Sequence, residues 1–521
     1  MHPEQVFRLF GLLAGLAGVT DLGSGGQPDE SLHRCLLAAR LAHAAGCDSD
    51  ETRDTVLVSL LQHVGCTAYS FESGRIFGDD RAVTRAFLMA DPGSFTHLLG
   101  TFVPRVADAT GRSRPAVAVS LARTLPITSR EAPVATCEVA QEAGRRLGLS
   151  TSAQHALGHM TAMWNGKGFP RTRGDEIPLP ARIMHVASVA TMFWEVGGEQ
   201  AAASQVRRRS GGELDPELAD LFLADPAGIL ADLDCSDPFG MVLAMEPDPV
   251  ERVGDDRLLE VASTFGDLVD LKSPWLHGHS GAVARLARSA ADALHLSEAP
   301  QVEVAGHLHD VGRAGVPSRI WDIPREWTDT ERDQARLHAH HTERVLARVP
   351  ELAGVAELAA AHHERCDGSG YHRGLRADRL PIGARVLATA DAWRRLVEDR
   401  PHRPGLDEQR ARQRLEADVR AGRLDGDAVE AVLHASGDPT RRPVATAGLT
   451  ARQLEVLRLV TRGLSNREIA ARLAISPRTV DRHVADVYTR IGVTSRAAAA
   501  LYAIGHGLLE SDAAERTPGT G

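Results

Sequence analysis

Lysine is nearly missing from this chain. Of 59 basic residues only Lys167 and Lys272 are lysines, so no single arginine is informative for being one. Aromatic residues amount to 4%. The six cysteines (Cys35, Cys47, Cys66, Cys137, Cys235, Cys366) form no CxxC pair and no even spacing. They read as reduced, buried thiols of a cytosolic protein, not as a disulfide framework. Long hydrophobic runs are lacking as well. The apolar run near the start, Leu9 to Val19, falls far short of the ~20 residues a membrane span needs. Its flank has one arginine offset by Glu4, and Asp21, Gly23, Gly25 and Gly26 follow in place of a small-residue cleavage site. A packed helix is therefore expected there instead of a signal peptide. These absences point to the cytoplasm and to no membrane partner.

What is present is ordinary globular material. A chain that is 43% hydrophobic and 25% charged can bury sizeable cores, and 521 residues suggest roughly three domains. The formal charge of −10 argues against a general polyanion binder, but it is unevenly spread. From Leu449 to Leu509 nine arginines face four acidic residues, a net of +5 that leaves −15 on the remainder. An acidic body with a basic tail is the first functional clue. Apolar residues recur at helical spacing, as in Val283, Leu286, Ala287, Ala290 and Leu294, and no convincing period-two strands occur. The fold class expected is all-α.

Two stretches about 200 residues apart match. HHERCDGSGYHRGLRADRLPIGARVLATADA (His362 to Ala392) aligns with MTAMWNGKGFPRTRGDEIPLPARIMHVASVA (Met160 to Ala190). Upstream, GHSGAVARLARSAADAL (Gly278 to Leu294) aligns with Ser31 to Gly46, and HLHDVGR (His307 to Arg313) with LLQHVGC (Leu60 to Cys66). The closing segments Gly211 to Phe222 and Ala421 to Leu433 also correspond. The first copy has lost its chemistry: Gln62-His63 stand at His309-Asp310, Met160-Thr161 at His362-His363, and Ser188 at Asp391. His33 is read as facing His279, and one histidine cannot hold a metal. Residues Thr67 to Ser150 form an extra segment with helical periodicity and no recognised motif.

Eleven of the 23 histidines lie between His277 and His372, where the motifs survive. His309 and Asp310 sit in an apolar helix, and a buried carboxylate is expensive unless paired or metal-bound. His362-His363-Glu364 ends another helix, and Asp391 lies inside the apolar run Val386 to Ala392. Imidazoles and carboxylates drawn from several helices into one core are the donor set of a dinuclear metal site, in which one Asp can bridge two cations.

From roughly Leu258 to Gly437 the sequence resembles the HD-GYP branch of the HD phosphohydrolases, on its HD and HHE-x-x-DGSGY motifs and a downstream Asp. The resemblance implies that His279, His309, Asp310 and Asp391 hold one divalent metal. It also implies that Asp310, a catalytic residue, bridges to a second metal held by His338, His362 and His363. His340 and His341 compete with His338 for that role. Trp275 stands where three-metal members have Glu, which favours two ions, Fe, Mn or similar. The implied reaction is metal-assisted hydrolysis of cyclic di-GMP or a related nucleotide second messenger. Arg313 takes the place of the family's Lys as a catalytic and substrate-binding residue, and Gly368, Gly370 and Tyr371 also contact substrate. Arginine can clamp phosphate but not give up its proton. GYP becomes Gly370-Tyr371-His372, whereas the first copy keeps Pro170.

Leu449 begins LTARQLEVLRLVTRGLSNREIAARLAISPRTVDRHVADVYTRIGVTSRAAAALYAIGHGLL, which parses into four short helices. Thr450, Ser465 and Ser476 are N-cap residues, Gly463 ends the first helix, and Pro477 takes the first position of the third. A tight turn between the second and third helices is helix-turn-helix geometry. The segment resembles the LuxR-type DNA-binding domain almost end to end. That implies base contacts by Asp481, Arg482 and Ala485, phosphate contacts by Arg478, Thr479 and His483, and a dimerisation face on the last helix (Arg496 to Leu508). Double-stranded DNA and a second copy of the chain are thus the expected partners.

The expected organisation is a degenerate HD-GYP-like bundle (1–235), a linker (236–256) and an intact HD-GYP-like bundle (257–437). A second linker (438–446), the LuxR-type domain (447–511) and a disordered tail (512–521) complete it. Two functional readings stay open: an enzyme-regulator with phosphodiesterase activity, and a non-catalytic metal- and nucleotide-binding sensor that controls DNA binding.

Overall fold

The computed structural model describes residues 6–437 and 448–509; the second linker and the tail expected from the sequence lie outside them. The fold is all-α. Among the described residues the only two-stranded ladder pairs Phe7–Arg8 with Arg252–Val253, antiparallel. No described helix is long and apolar enough to cross a membrane.

The two repeats use the same helices in the same order. Leu9–Ser24, Glu30–Ala44, Ser49–Leu60, Leu179–Arg209 and Pro216–Ala224 correspond to Asp255–Asp270, His279–Ala293, Ala299–Leu308, Ile382–Val397 and Gly426–Ser436. Two polar clasps recur, the first of them buried and at identical spacing. Asp21 accepts from the backbone N–H and hydroxyl of Ser31 at 3.0 and 2.8 Å, and Asp270 does the same for Ser280 at 2.9 and 2.9 Å. Arg182 donates to Asp215 at 2.8 Å, and Arg385 donates to Asp425 at 2.9 Å. In both cases the aspartate also caps the closing helix.

One hydrophobic core runs through both repeats. The apolar run read from the sequence as a packed helix is the helix Leu9–Ser24, buried along almost its whole length. Its glycines let it lie close on the second repeat: a Cβ at Gly15 would overlap Val349. The extra segment forms four helices, Ser70–Phe77, Asp80–Met89, Phe95–Thr110 and Arg114–Arg146, with a small core of their own around Phe77, Phe102 and Val117. Lys272, one of the two lysines, ties this segment to the second repeat. It is fully buried and donates to Asp80 at 2.7 Å.

Residues 236–256 are not an open connector. They hold the helix Pro238–Ala244 and the strand that pairs with the chain's start, because Val242 has core to bury against. The C-terminal module has the four helices expected: Ala451–Thr461, Asn466–Leu473, Pro477–Ile491 and Arg496–Gly505. Thr450, Ser465 and Ser476 all accept cap hydrogen bonds.

Candidate metal centre and nucleic-acid interface

Five separate elements deliver the seven predicted ligands to one buried point. His279 opens its helix, while His309 and Asp310 follow Leu308 where Ala299–Leu308 ends. His338 comes from Asp329–Leu346, which Thr328 and Glu331 start with a capping box. His362 and His363 follow Ala353–Ala360, and Asp391 lies mid-helix in Ile382–Val397. All seven are buried.

Asp310 sits at the middle. Its Oδ2 lies 2.8 Å from His309 Nε2 and 3.6 Å from His279 Nε2. Its Oδ1 faces the other way, 3.3 Å from His338 Nε2 and 3.5 Å from His362 Nε2. Asp391 closes both sides, with Oδ1 3.3 Å from His279 and Oδ2 3.6 Å from His363. The ligand atoms form two sets, His279–His309–Asp391 and His338–His362–His363, and a third, His309–Asp310–His362, links them.

The backbone fixes which nitrogens point inward. His309 and His362 turn Nδ1 to the carbonyls of Gly306 and Ala359 at 2.7 and 2.6 Å, and His338 turns its own to Ala335. A carbonyl can only accept, so each Nδ1 carries the proton and each Nε2 presents a lone pair. His338 Nε2 and His362 Nε2 then face each other at 3.1 Å as two acceptors. Both Asp310 oxygens, His279 Nε2, His309 Nε2 and Asp391 Oδ1 are buried without a well-formed hydrogen bond. Inward lone pairs and orphaned carboxylate oxygens are what a cation would satisfy.

The protonation states suit ligation as well. Burial drives His338 down to about 3 and also lowers His362 and His363, so these rings are neutral at pH 7. Burial pushes the Asp310 carboxyl upward, but the Arg313 guanidinium beside it outweighs burial and holds the group well below the usual carboxylate range. Arg395 and His279 do the same for Asp391.

Arg313 lies on the centre. Its Nη2 is 2.7 Å from Asp310 Oδ2, its guanidinium covers the Trp321 ring at 5.0 Å, and its Nε and Nη1 are buried and unpartnered. Tyr371 packs on His363 with ring centroids 4.7 Å apart and donates its N–H to the His363 carbonyl at 3.2 Å. Gly368 takes a left-handed φ of 82°, and Gly370 lies so close to the Glu364 backbone that a Cβ would overlap it. Both glycines shape the loop that holds Tyr371. His340 is exposed and His341 lies against Gly312 and Gly315; His338 is the one that reaches the cluster. Trp275 bonds through its backbone, its N–H donating to Ser273 Oγ and its carbonyl accepting from Arg400.

The sequence did not disclose Glu398, which accepts from His279 Nδ1 at 2.8 Å. Its signal was the spacing of seven from Asp391, two helical turns along one face. The alignment of His33 with His279 is also corrected. The clasps of Asp21 on Ser31 and Asp270 on Ser280 fix the register, and Glu30 then stands at His279 and Glu195 at Glu398. In the first repeat Arg85 bridges those two carboxylates, at 2.6 Å to Glu30 and 3.4 Å to Glu195. An ion pair has replaced a ligand and its support.

Residues 256–428 match the family model described as HD domain, and residues 447–503 match that of bacterial regulatory proteins, luxR family. The chain thus carries an HD domain over residues 256–428, followed by a LuxR-type domain over residues 447–503. It is 26% identical over 410 residues to the 3′3′-cGAMP-specific phosphodiesterase 3 of Vibrio cholerae, covering 77% of this chain and 89% of that one. It is 35% identical over 153 residues to a cyclic di-GMP phosphodiesterase of Thermotoga maritima, covering 29% of this chain and 42% of the relative. The crystal structure of a cyclic GMP-AMP specific phosphodiesterase of V. cholerae shares the fold, with a TM-score of 0.57 at 23% identity, over 83% of this chain and 98% of that one.

The LuxR-type domain leaves its third helix open. Arg478, Thr479, Asp481, Arg482 and Ala485 are exposed and His483 is half-buried. Asp481 accepts from Asn466 of the preceding helix at 2.6 Å, so its carboxylate is already engaged. The last helix differs from expectation. Instead of presenting a free dimerisation face, it buries Ala497, Ala500 and Leu501 in the core of the body. Glu138 accepts from the backbone N–H groups of Thr494 and Ser495, each at 2.9 Å, and Arg146 donates to the Leu501 carbonyl at 2.8 Å.

Proposed function

We propose that this chain is a cytoplasmic DNA-binding regulator whose second repeat hydrolyses a cyclic dinucleotide, cyclic di-GMP or a relative such as 3′3′-cGAMP, at a two-metal centre. The observation that carries the reading is the division of Asp310, one oxygen toward His279 and His309 and the other toward His338 and His362. His279, His309, Asp310 and Asp391 would hold one ion, and Asp310, His338, His362 and His363 the other, with Fe or Mn as the metals to try. When bound, such a pair supplies Lewis acidity and an activated water. Arg313 clamps the phosphate through its unpartnered Nε and Nη1. Arginine can clamp phosphate but not give up its proton, so this residue is not the general acid. Tyr371 walls the site, and Gly368 and Gly370 hold its loop in shape.

The working units are 1–235, 257–437 and 447–511. DNA contacts fall to Arg478, Thr479, Asp481, Arg482, His483 and Ala485. The chain would bind as a homodimer once the last helix leaves the body, since the face expected for dimerisation is covered while docked.

A sensor without turnover is the second reading, favoured by one contact. Arg313 sits where the family has Lys, and it occupies the Asp310 oxygen that faces His279 and His309. Full-length protein loaded with Mn²⁺ or Fe²⁺, given cyclic di-GMP, 3′3′-cGAMP and a generic phosphodiester, separates the two. Turnover abolished by Asp310→Ala supports the enzyme. Metal-dependent nucleotide binding with no turnover of any substrate supports the sensor. Deleting residues 447–521 should remove salt-sensitive duplex binding.

A further inference from the structure

We propose a separate metal site at the lip of the centre, built from His340, Glu343 and His372, for a borderline divalent transition ion such as Zn²⁺. Their ligand atoms all lie within 4.8 Å of one another. His340 and Glu343 are three apart on the helix Asp329–Leu346, so both project from one face. His372 comes from the loop across from them, its Nε2 2.6 Å from Glu343 Oε2 and its ring centroid 5.5 Å from that of His340. Two imidazoles and one carboxylate are a three-ligand set that leaves a fourth position open to water.

The loop is built to present His372. On one side Tyr371 is pinned to His363. On the other, Glu364 accepts from the backbone N–H groups of Arg373, Gly374 and Leu375 at 2.7, 3.1 and 2.9 Å. His372 Nδ1 is buried without a partner. Ligands of one tetrahedral ion stand about 3.3 Å apart, and the closure needed falls on His340, which is exposed. Arg373 also pairs with Glu343; it is half-exposed and free to move into water when a cation takes its place. A bound ion would tie the Tyr371 loop to the helix that carries His338. The first repeat has Pro170 at the matched place and offers no such donor.

The test uses full-length chain carrying Asp310→Ala, which takes the shared carboxylate from the buried centre, stripped with chelator and titrated with Zn²⁺ by calorimetry. Cobalt(II) visible absorption reports the coordination. This background is expected to lose one equivalent on adding His340→Ala or His372→Pro. His340→Ala alters an exposed side chain, so folding is not at stake. Zn²⁺ stoichiometry unaffected by either substitution overturns the site, as does no binding in the Asp310→Ala background at micromolar Zn²⁺.

Discussion

Replacing Glu138 by alanine should release the DNA-binding domain. Its carboxylate accepts from two backbone N–H groups at 2.9 Å and from the Thr494 hydroxyl. These donors sit at and just before the N-cap of the helix Arg496–Gly505, where a negative charge is also favoured by the helix dipole. Hydrogen bonds to a charged group contribute about 1.5–3 kcal/mol, and Glu138 is only half-buried, so the lower end applies. That is roughly a tenfold shift of the docked-to-released ratio. Duplex affinity by fluorescence anisotropy should rise by up to the same factor if the docked form is the inactive one. Sedimentation should show dimer at lower protein concentration as Ala497, Ala500 and Leu501 become bare. Arg146→Ala, which removes the bond to the Leu501 carbonyl, should act in the same direction. Duplex affinity and sedimentation both unchanged in Glu138→Ala would refute the reasoning.

Lys272→Met leaves Asp80 buried without its cation, and breaking a buried ion pair costs about 3–5 kcal/mol, measured by urea unfolding; the double change with Asp80→Leu should recover much of it. Lys272 holds Asp80 below its usual value against the upward push of burial. The pair's contribution is therefore present above the ordinary carboxyl pKa and lost in acid, and the deficit of Lys272→Met should narrow as pH falls. Burial raises Asp21 to about 7, so its contribution is complete below about pH 4 and declines as pH rises through 7. Asp21→Asn should gain in Tm relative to wild type between pH 5 and pH 8, and a constant difference would count against it. Gly370→Ala forces the loop off the Glu364 backbone; nucleotide turnover or binding should fall while the metal content of the buried centre stays at the wild-type level.

Much of this was legible because it is local. Thr450, Ser465, Ser476 and Pro477 announce helix starts through their own side chains, and the structure uses each as a start. The HD pair and the HHE run place ligands at the ends of short helices, and the structure brings all of them to Asp310. What escaped depends on distant partners. Glu398 belongs to no motif, and its partner His279 is 119 residues away. The slip that matched His33 to His279 arose because apolar spacing fixes a helix's face but not its register by one turn. Only the aspartate–serine clasps settle that. The docking of the last helix was hidden for a similar reason. Alanines and a leucine at helical spacing describe an apolar face equally well whether a second copy or the chain's own body covers it.

Metal content by elemental analysis, wild type against Asp310→Ala in the full-length chain after Mn²⁺ or Fe²⁺ loading, tests the central claim most directly. Because each oxygen of Asp310 serves a different set of histidines, the account predicts that the variant holds two fewer equivalents than wild type. Equal metal content in the two proteins would contradict it.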